Sequence, residues 1–283
     1  YDDQKFIGGA AANFSVHAAL CGHQAFLLSR VGDDSAGRQL TAELQRFGVD
    51  PSFLQTDIFK PTASLRIRLD ADGNPSYSCS ESAAFDDLRL DSAWEALAPQ
   101  LDGVFFTLLA QRTETGRETI QSFLRLAAQA VKLFDVNLRS WDAKSERSLF
   151  AGLELADIVK VNRQECAVLK QAFGSSEPDM PFLRRVIEQF KLKLAALTLG
   201  EHGCLLINSE EQELDPGYYI APVDVSGAGD AFAAGLMIKY LEGASLTETA
   251  DFANRLAAFV AKHRGAVPVW SPADLETLAV TNL

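Results

Sequence analysis

From Asp91 onward, strand-like and helix-like runs alternate, and this alternation restricts the fold more than any other feature of the chain. Strands are expected over 104–107, 132–136, 158–161 and 194–199. Helices are expected over 114–130, with Thr113 as its cap, and over 145–156, 163–172 and 181–190. Strand–helix–strand units of this length build a mostly parallel sheet with helices on both faces, because a parallel connection needs a crossover. The expected class is α/β, with a three-layer sandwich around a central sheet. Segments 204–207 and 218–222 read as short extra strands, and three helices over 231–241, 246–262 and 273–278 end the chain.

The first eighty residues read differently. Gly8-Gly9 leads into a small, apolar helix over 10–20 that ends at Gly22. A buried strand over 25–31, a turn at Gly32-Asp33-Asp34-Ser35 and a helix over 36–47 closed at Gly48 follow. Residues 64–69 alternate with period two, placing Leu65, Ile67 and Leu69 on one face. Asp72-Gly73-Asn74-Pro75 signals a turn, and 76–80 the returning strand of a hairpin. Such a hairpin is a flap over a site, a strand-mediated contact or an ordinary edge.

Open sheets of this kind bind ligands beyond the carboxyl ends of their strands. Chemically versatile residues cluster there: Gln111 and Arg112, Asn137 and Arg139, Asn162 and Glu165, Gly200 and Gly203, and finally Asp230. Gly227-Ala228-Gly229-Asp230 is the most telling group. Unpaired amides and a positive dipole at a helix start attract anions, and glycine admits a phosphate close to the backbone. A carboxylate beside that spot suits removal of a proton from an incoming hydroxyl. A capped helix after a glycine-rich turn is the plainer alternative. A dinucleotide-binding G-x-G-x-x-G is a poor fit, because the glycines come late in the chain and lead into Asp230.

Composition removes other classes. The 283-residue chain carries a net charge of −12, which argues against nucleic-acid binding, and 47% apolar residues, enough for a sizeable core. No apolar run could span a bilayer and no leader-like pattern opens the chain, so a cytoplasmic protein is expected. Cys21, Cys79, Cys166 and Cys204, and His17, His23, His202 and His263, are scattered without metal-ligand spacing, and the cysteines read as reduced thiols.

Two segments make the chain resemble the PfkB (ribokinase-like) sugar kinases. Gly8-Gly9-Ala10-Ala11-Ala12-Asn13, running on to Gly32-Asp33-Asp34-Ser35-Ala36-Gly37, is similar to the family's N-terminal sugar-binding signature. Asp224-Val225-Ser226-Gly227-Ala228-Gly229-Asp230 is similar to its C-terminal signature. The resemblance implies ATP-dependent transfer of the γ-phosphoryl group to a sugar hydroxyl. Asp230 would be the base, with the amides of Gly227, Ala228 and Gly229 as anion hole, and Gly8, Gly9 and Asn13 would touch the sugar. Asn162-Arg163-Gln164-Glu165 resembles the family's N-x-x-E motif, in which Glu165 would organise Mg²⁺ through water. Thr198, Gly200 and Gly203 would lie near the nucleotide, and Asn254, Ala257 and Ala258 on a helix flanking adenine. Asp224 and Ser226 match positions beside a monovalent cation, possible as K⁺, although Val225 stands where the family usually has Thr. The family's first strand, with a sugar-gripping Asp, comes before the double glycine; a segment ahead of this sequence is expected to supply it.

A small β lid over 1–8 and 59–81 is expected beside an α/β domain over 9–58 and 82–283, and the hairpin face of Leu65, Ile67 and Leu69 is expected to pair with its twin in a homodimer. Leu109-Ala110-Gln111-Arg112 and Asp135-Val136-Asn137-Leu138-Arg139 look most like bacterial fructokinases, with Gln111, Arg112, Asn137 and Arg139 on the sugar side. A 2-keto-3-deoxygluconate kinase, a ribokinase and a catalytically silent binding subunit are the alternatives.

Overall fold

The computed structural model describes residues 7–69 and 75–278, and for 66–69 and 75–79 the backbone alone. The described residues begin with α1 (Ala10–Leu20), β1 (Ala25–Phe26), β2 (Ser29–Gly32), α2 (Ser35–Arg46), β3 (Val49–Asp50), β4 (Leu54–Asp57), β5 (Leu65–Leu69) and β6 (Pro75–Cys79). Next come α3 (Ser92–Leu97), β7 (Gly103–Thr107), α4 (Glu114–Leu126), β8 (Val131–Asp135), α5 (Ala143–Leu155), β9 (Ile158–Asn162), α6 (Arg163–Ala172), α7 (Asp179–Phe190) and β10 (Leu194–Thr198). They close with β11 (Cys204–Ile207), β12 (Gln212–Asp215), α8 (Ala228–Leu241), α9 (Leu246–Ala261) and α10 (Pro272–Glu276).

Among the described residues, six strands form the central sheet in the order β12-β11-β10-β9-β8-β7. β7 to β10 run parallel, and β11 and β12 add antiparallel strands at one edge. The inner strands are largely apolar because both faces are covered, with Lys132, Asp135 and Lys160 as the charged exceptions in β8 and β9. Their side chains divide with period two. Leu133, Ile158, Leu194, Ala196, Cys204 and Leu206 pack against Phe232, Leu236 and Ala253 of α8 and α9. Phe134, Val159, Val161, Ala195, Leu197 and Leu205 meet Leu149, Leu169 and Phe182 of α5, α6 and α7. The result is the expected three-layer sandwich, with β5 and β6 as a separate small β lid.

Two expectations need correction. The single strand expected over 25–31 is broken after Phe26, where the chain changes partner: β1 pairs with β3 and β2 with β4. Leu27 joins a cluster with Val16 and Leu44, while Leu28 packs toward Trp94 and Phe123. The strand expected over 218–222 is unpaired. Gln212–Asp215 takes the place beside β11 instead, because Pro216 and Pro222 offer no ladder N–H and Tyr218 is buried against α9.

The lid strands pair from Leu65↔Cys79 to Leu69↔Pro75. The turn expected at 72–75 falls mostly outside the described residues, as do the side chains of Ile67 and Leu69. Asp34 anchors the lid's approach: it caps α2 through Gly37 N at 2.8 Å and accepts from both Thr62 N and Thr62 Oγ1 at 2.8 Å. Cys21, Cys166 and Cys204 are free thiols. Among the described residues no helix is long and apolar enough to cross a membrane.

Candidate active site

The parallel strands end together at one side of the sheet, and α8 starts above them. Gly227 precedes α8 in the left-handed region, at φ 78°. A Cβ there would lie 2.4 Å from Ala266 Cβ and 2.7 Å from Ala266 O, so glycine is required by both conformation and space. The helix begins at Ala228, which puts Asp230 inside the first turn rather than at the cap. Ala228 N reaches back to Val225 O at 3.3 Å, whereas among the described residues no bond occupies the amides of Gly227 or Gly229. These are orphan donors at the positive end of a fourteen-residue helix.

Asp230 is 9% exposed and accepts a 2.7 Å hydrogen bond from Asn13 Nδ2, so the two signatures at opposite ends of the chain meet here. Burial pushes the Asp230 carboxyl up to about 6, against the Asn13 bond; Asp135 raises it further, while Lys160 and Arg139 oppose. Gly8 and Gly9 stand exposed ahead of α1, and Asn13 N bonds to Gly9 O at 2.8 Å.

Beneath this corner lies an ion pair that the motifs do not announce. Lys160 and Asp135 are paired across β8 and β9 and joined at 2.8 Å, with side chains 7% and 1% exposed. Lys160 Nζ is 3.2 Å from the point a Gly229 Cβ would occupy. Burial works against the Lys160 charge, but Asp135, Glu165 and Asp230 outweigh it and hold the ammonium above its usual range. The sequence offers a signal for the pair: a lone Lys in the apolar run Ile158–Asn162 must find a buried anion. Nothing in the sequence says which.

Glu165 is buried and fixes the next loop. Its two carboxylate oxygens accept from Leu138 N and Asn162 N, both at 2.9 Å, and Asn162 Oδ1 returns a bond from Glu165 N. Burial, then the Asp135 charge, pushes the Glu165 carboxyl above its usual range. Asn137 sits in this loop at φ 39°, a strained value for a residue with a Cβ, and Arg139 beside it is exposed.

Gln111 and Arg112 follow β7 as expected, but their donors are used within the protein. Gln111 Nε2 donates to Thr107 O at 3.2 Å. Arg112 grips Asp86 at 2.6 and 2.7 Å, bonds to Ser80 O at 2.8 Å and lies over the Phe85 ring. Acceptors are left over instead: Asn13 Oδ1, Gln111 Oε1 and Asp135 Oδ1 are buried with no partner among the described residues. Such a set suits a ligand rich in hydroxyl donors.

On the other flank, Thr198 ends β10, and Gly200 and Gly203 take φ values of 65° and 78°. A Cβ on Gly203 would sit 2.0 Å from Asp215 O. Asn254 reaches this loop from α9, donating to Asp215 Oδ1 at 2.7 Å, where Gly217 N also donates. Ala258 belongs to the core, and Ala257 packs partly buried at its edge. Asp224 is buried and accepts from Ser226 N and Gly265 N, both at 3.0 Å.

Orphan amides beside a buried carboxylate, at the carboxyl ends of a parallel sheet, define an α/β protein equipped for chemistry on anions. The model of the pfkB family of carbohydrate kinases matches residues 2–273, and the chain belongs to that family. Its members transfer a phosphoryl group from ATP to a sugar hydroxyl. The "Putative sugar kinase PH1459" of Pyrococcus horikoshii is 31% identical over 95% of this chain and 84% of its own. That protein's crystal structure superposes with a TM-score of 0.82, covering 93% of this chain and 85% of the other. Fructokinase-1 of Oryza sativa subsp. japonica is 30% identical over 97% of this chain and 88% of its own. An aminoimidazole riboside kinase of Salmonella typhimurium is 30% identical over 93% and 84%.

Proposed function

We propose that this sugar kinase acts on fructose, with Asp230 as the general base. The observation that carries the mechanism is the buried Asp230 carboxylate, held at 2.7 Å by Asn13 beside the unoccupied amides of Gly227 and Gly229. In this reading the sugar lies between Gly8, Gly9 and Asn13 on one side and the 111–112 and 137–139 loops on the other. Asp230 takes the proton of the attacking hydroxyl, and the amides receive the charge of the transferring phosphoryl group. Lys160 keeps the corner from accumulating three uncompensated carboxylates. Arg139, exposed and near enough to lower the Asp230 carboxyl, faces the anionic side.

The nucleotide is assigned to the ends of β9, β10 and β11, beside Asn162, Thr198, Gly200 and Gly203, with Asn254 holding the 215–217 loop in place. Glu165 and Asp135 fit Mg²⁺ on the triphosphate. Both Glu165 oxygens already accept backbone amides, and among the described residues no cluster of His, Cys, Asp or Glu could cage a metal. That donor set suits contact through the waters Mg²⁺ retains. When bound, Mg²⁺ offsets phosphate charge. The Asp224 carboxylate and Ser226 hydroxyl are hard donors suited to a monovalent cation such as K⁺.

Fructose is favoured by the 109–112 and 135–139 segments and by the rice fructokinase. The Salmonella relative makes a riboside the second reading. The test is ADP release with Mg²⁺–ATP and a panel of fructose, ketodeoxygluconate, ribose and nucleosides. Fructose is expected to give the highest kcat/KM. A better riboside or ketodeoxygluconate, or no turnover with any of the panel, overturns the sugar assignment.

A homodimer through the lids is also proposed. Ile58, Phe59 and Leu65 are 75%, 89% and 49% exposed where the chain enters the lid, an apolar group that a second copy would cover. Light scattering at micromolar concentration is expected to show a dimer, and Phe59→Asp a monomer. A monomeric parent protein rules the pairing out.

A further inference from the structure

His17 lies one helical turn beyond Asn13 on α1, so both side chains leave the same face of the helix. The ring is fully buried and both nitrogens are engaged. Trp270 Nε1 stands 3.2 Å from His17 Nδ1, and His17 Nε2 stands 3.0 Å from Ala266 O. An indole N–H only donates, so Nδ1 is the acceptor and the ring proton sits on Nε2, donated to the Ala266 carbonyl. Burial pulls the ring down to about 4, against the Ala266 bond, and keeps it neutral at physiological pH.

The carbonyl that His17 holds is the one that backs Gly227. Ala266 O lies 2.7 Å from where a Gly227 Cβ would be, with Ala266 Cα equally close. Two further ties bind the same segments: Gly265 N donates to Asp224 Oδ2 at 3.0 Å, and Val223 N to Ala261 O at 2.8 Å. One helix therefore grips both halves of the corner. Asn13 holds the carboxylate, and His17 holds the wall against which the preceding glycine rests.

We infer that His17 is a positioning residue for phosphoryl transfer, setting the placement of Gly227 and its neighbouring amides through the Ala266 carbonyl. The inference rests on the anion-hole reading above. Two polar variants separate its two bonds. His17→Asn places its amide near the reach of Nδ1 and can keep Trp270 but not Ala266. His17→Gln places an N–H donor near the reach of Nε2 and can keep Ala266.

The experiment measures kcat, both KM values, Tm and amide hydrogen exchange for the two variants of the full chain. His17→Asn is expected to lose about tenfold or more in kcat, with both KM values within about twofold, as for a misplaced catalytic group. Exchange in the 224–230 peptide should quicken relative to peptides of β9 and β10. His17→Gln should stay within about threefold of the parent in kcat, since the donor is restored. Equal kcat losses in both variants, following Tm alone, mark a purely structural histidine and overturn the inference. An unchanged kcat in His17→Asn also overturns it; if exchange over 224–230 has risen all the same, the fault lies in the anion-hole reading rather than in the His17 contact.

Discussion

Asp230→Asn is expected to lower kcat by about a hundredfold or more, the usual worth of a general base, while ATP binding measured by calorimetry survives. The amide that replaces the carboxylate has the same shape and can still accept from Asn13, but it cannot take a proton. The free enzyme's kcat/KM should rise from acid pH with an apparent pKa of about 6, because burial holds Asp230 protonated to that point. The same shift sets the sign of the stability effect. A carboxyl raised from 3.8 to about 6 favours the folded state below the ordinary value and loses that contribution as pH rises through 6. Keeping Asp230 ionised at pH 8 then costs the fold about 3 kcal/mol. Asp230→Asn should raise Tm at pH 8, and the gain should vanish near pH 4. A variant with near-parental turnover would remove Asp230 from the role of base.

Lys160→Met should destabilise the protein by about 3–5 kcal/mol, the range for breaking one side of a buried ion pair. The loss leaves Asp135, 1% exposed at its side chain, without its cation and with one oxygen already unpartnered. It also removes a positive charge that favours the ionised forms of Glu165 and Asp230. Urea unfolding at pH 7 measures it. The double variant Lys160→Met/Asp135→Leu should recover much of the stability, because two apolar groups can replace a buried pair at little net cost. Activity should recover in neither. A single variant as stable as the parent would mean that Lys160 and Asp135 do not meet as described.

The sheet was legible in the sequence because strands buried on both faces are mostly apolar and must be separated by amphipathic crossovers. α6 (Arg163–Ala172) and β11 (Cys204–Ile207) fall at the expected residues. The break at Leu27–Leu28 was not legible, since both residues are apolar and their separation depends on two different neighbours, β3 and β4. The strand expected over 218–222 failed because its apolar residues serve α9 rather than a ladder. At the site, glycine-rich turns and strand-end polar residues mark themselves, because few other residues fit those backbones. Arg112 shows the limit: its position follows from the sequence, but its grip on Asp86 does not.

What the sequence determines by itself is local. Periodicity sets the strands and helices, the small residues at Gly227 and Gly229 set an anion-friendly helix start, and an acid follows. What Asp230 can do was decided only by tertiary structure. Asn13 is 217 positions away, and Asp135 and Lys160 arrive on neighbouring strands 25 residues apart. A carboxyl's proton affinity depends on what surrounds it in space, and sequence spacing does not encode that. Packing of α1 against α8 over the strand ends buries the acid, and burial is what turns it from a surface cap into a candidate base.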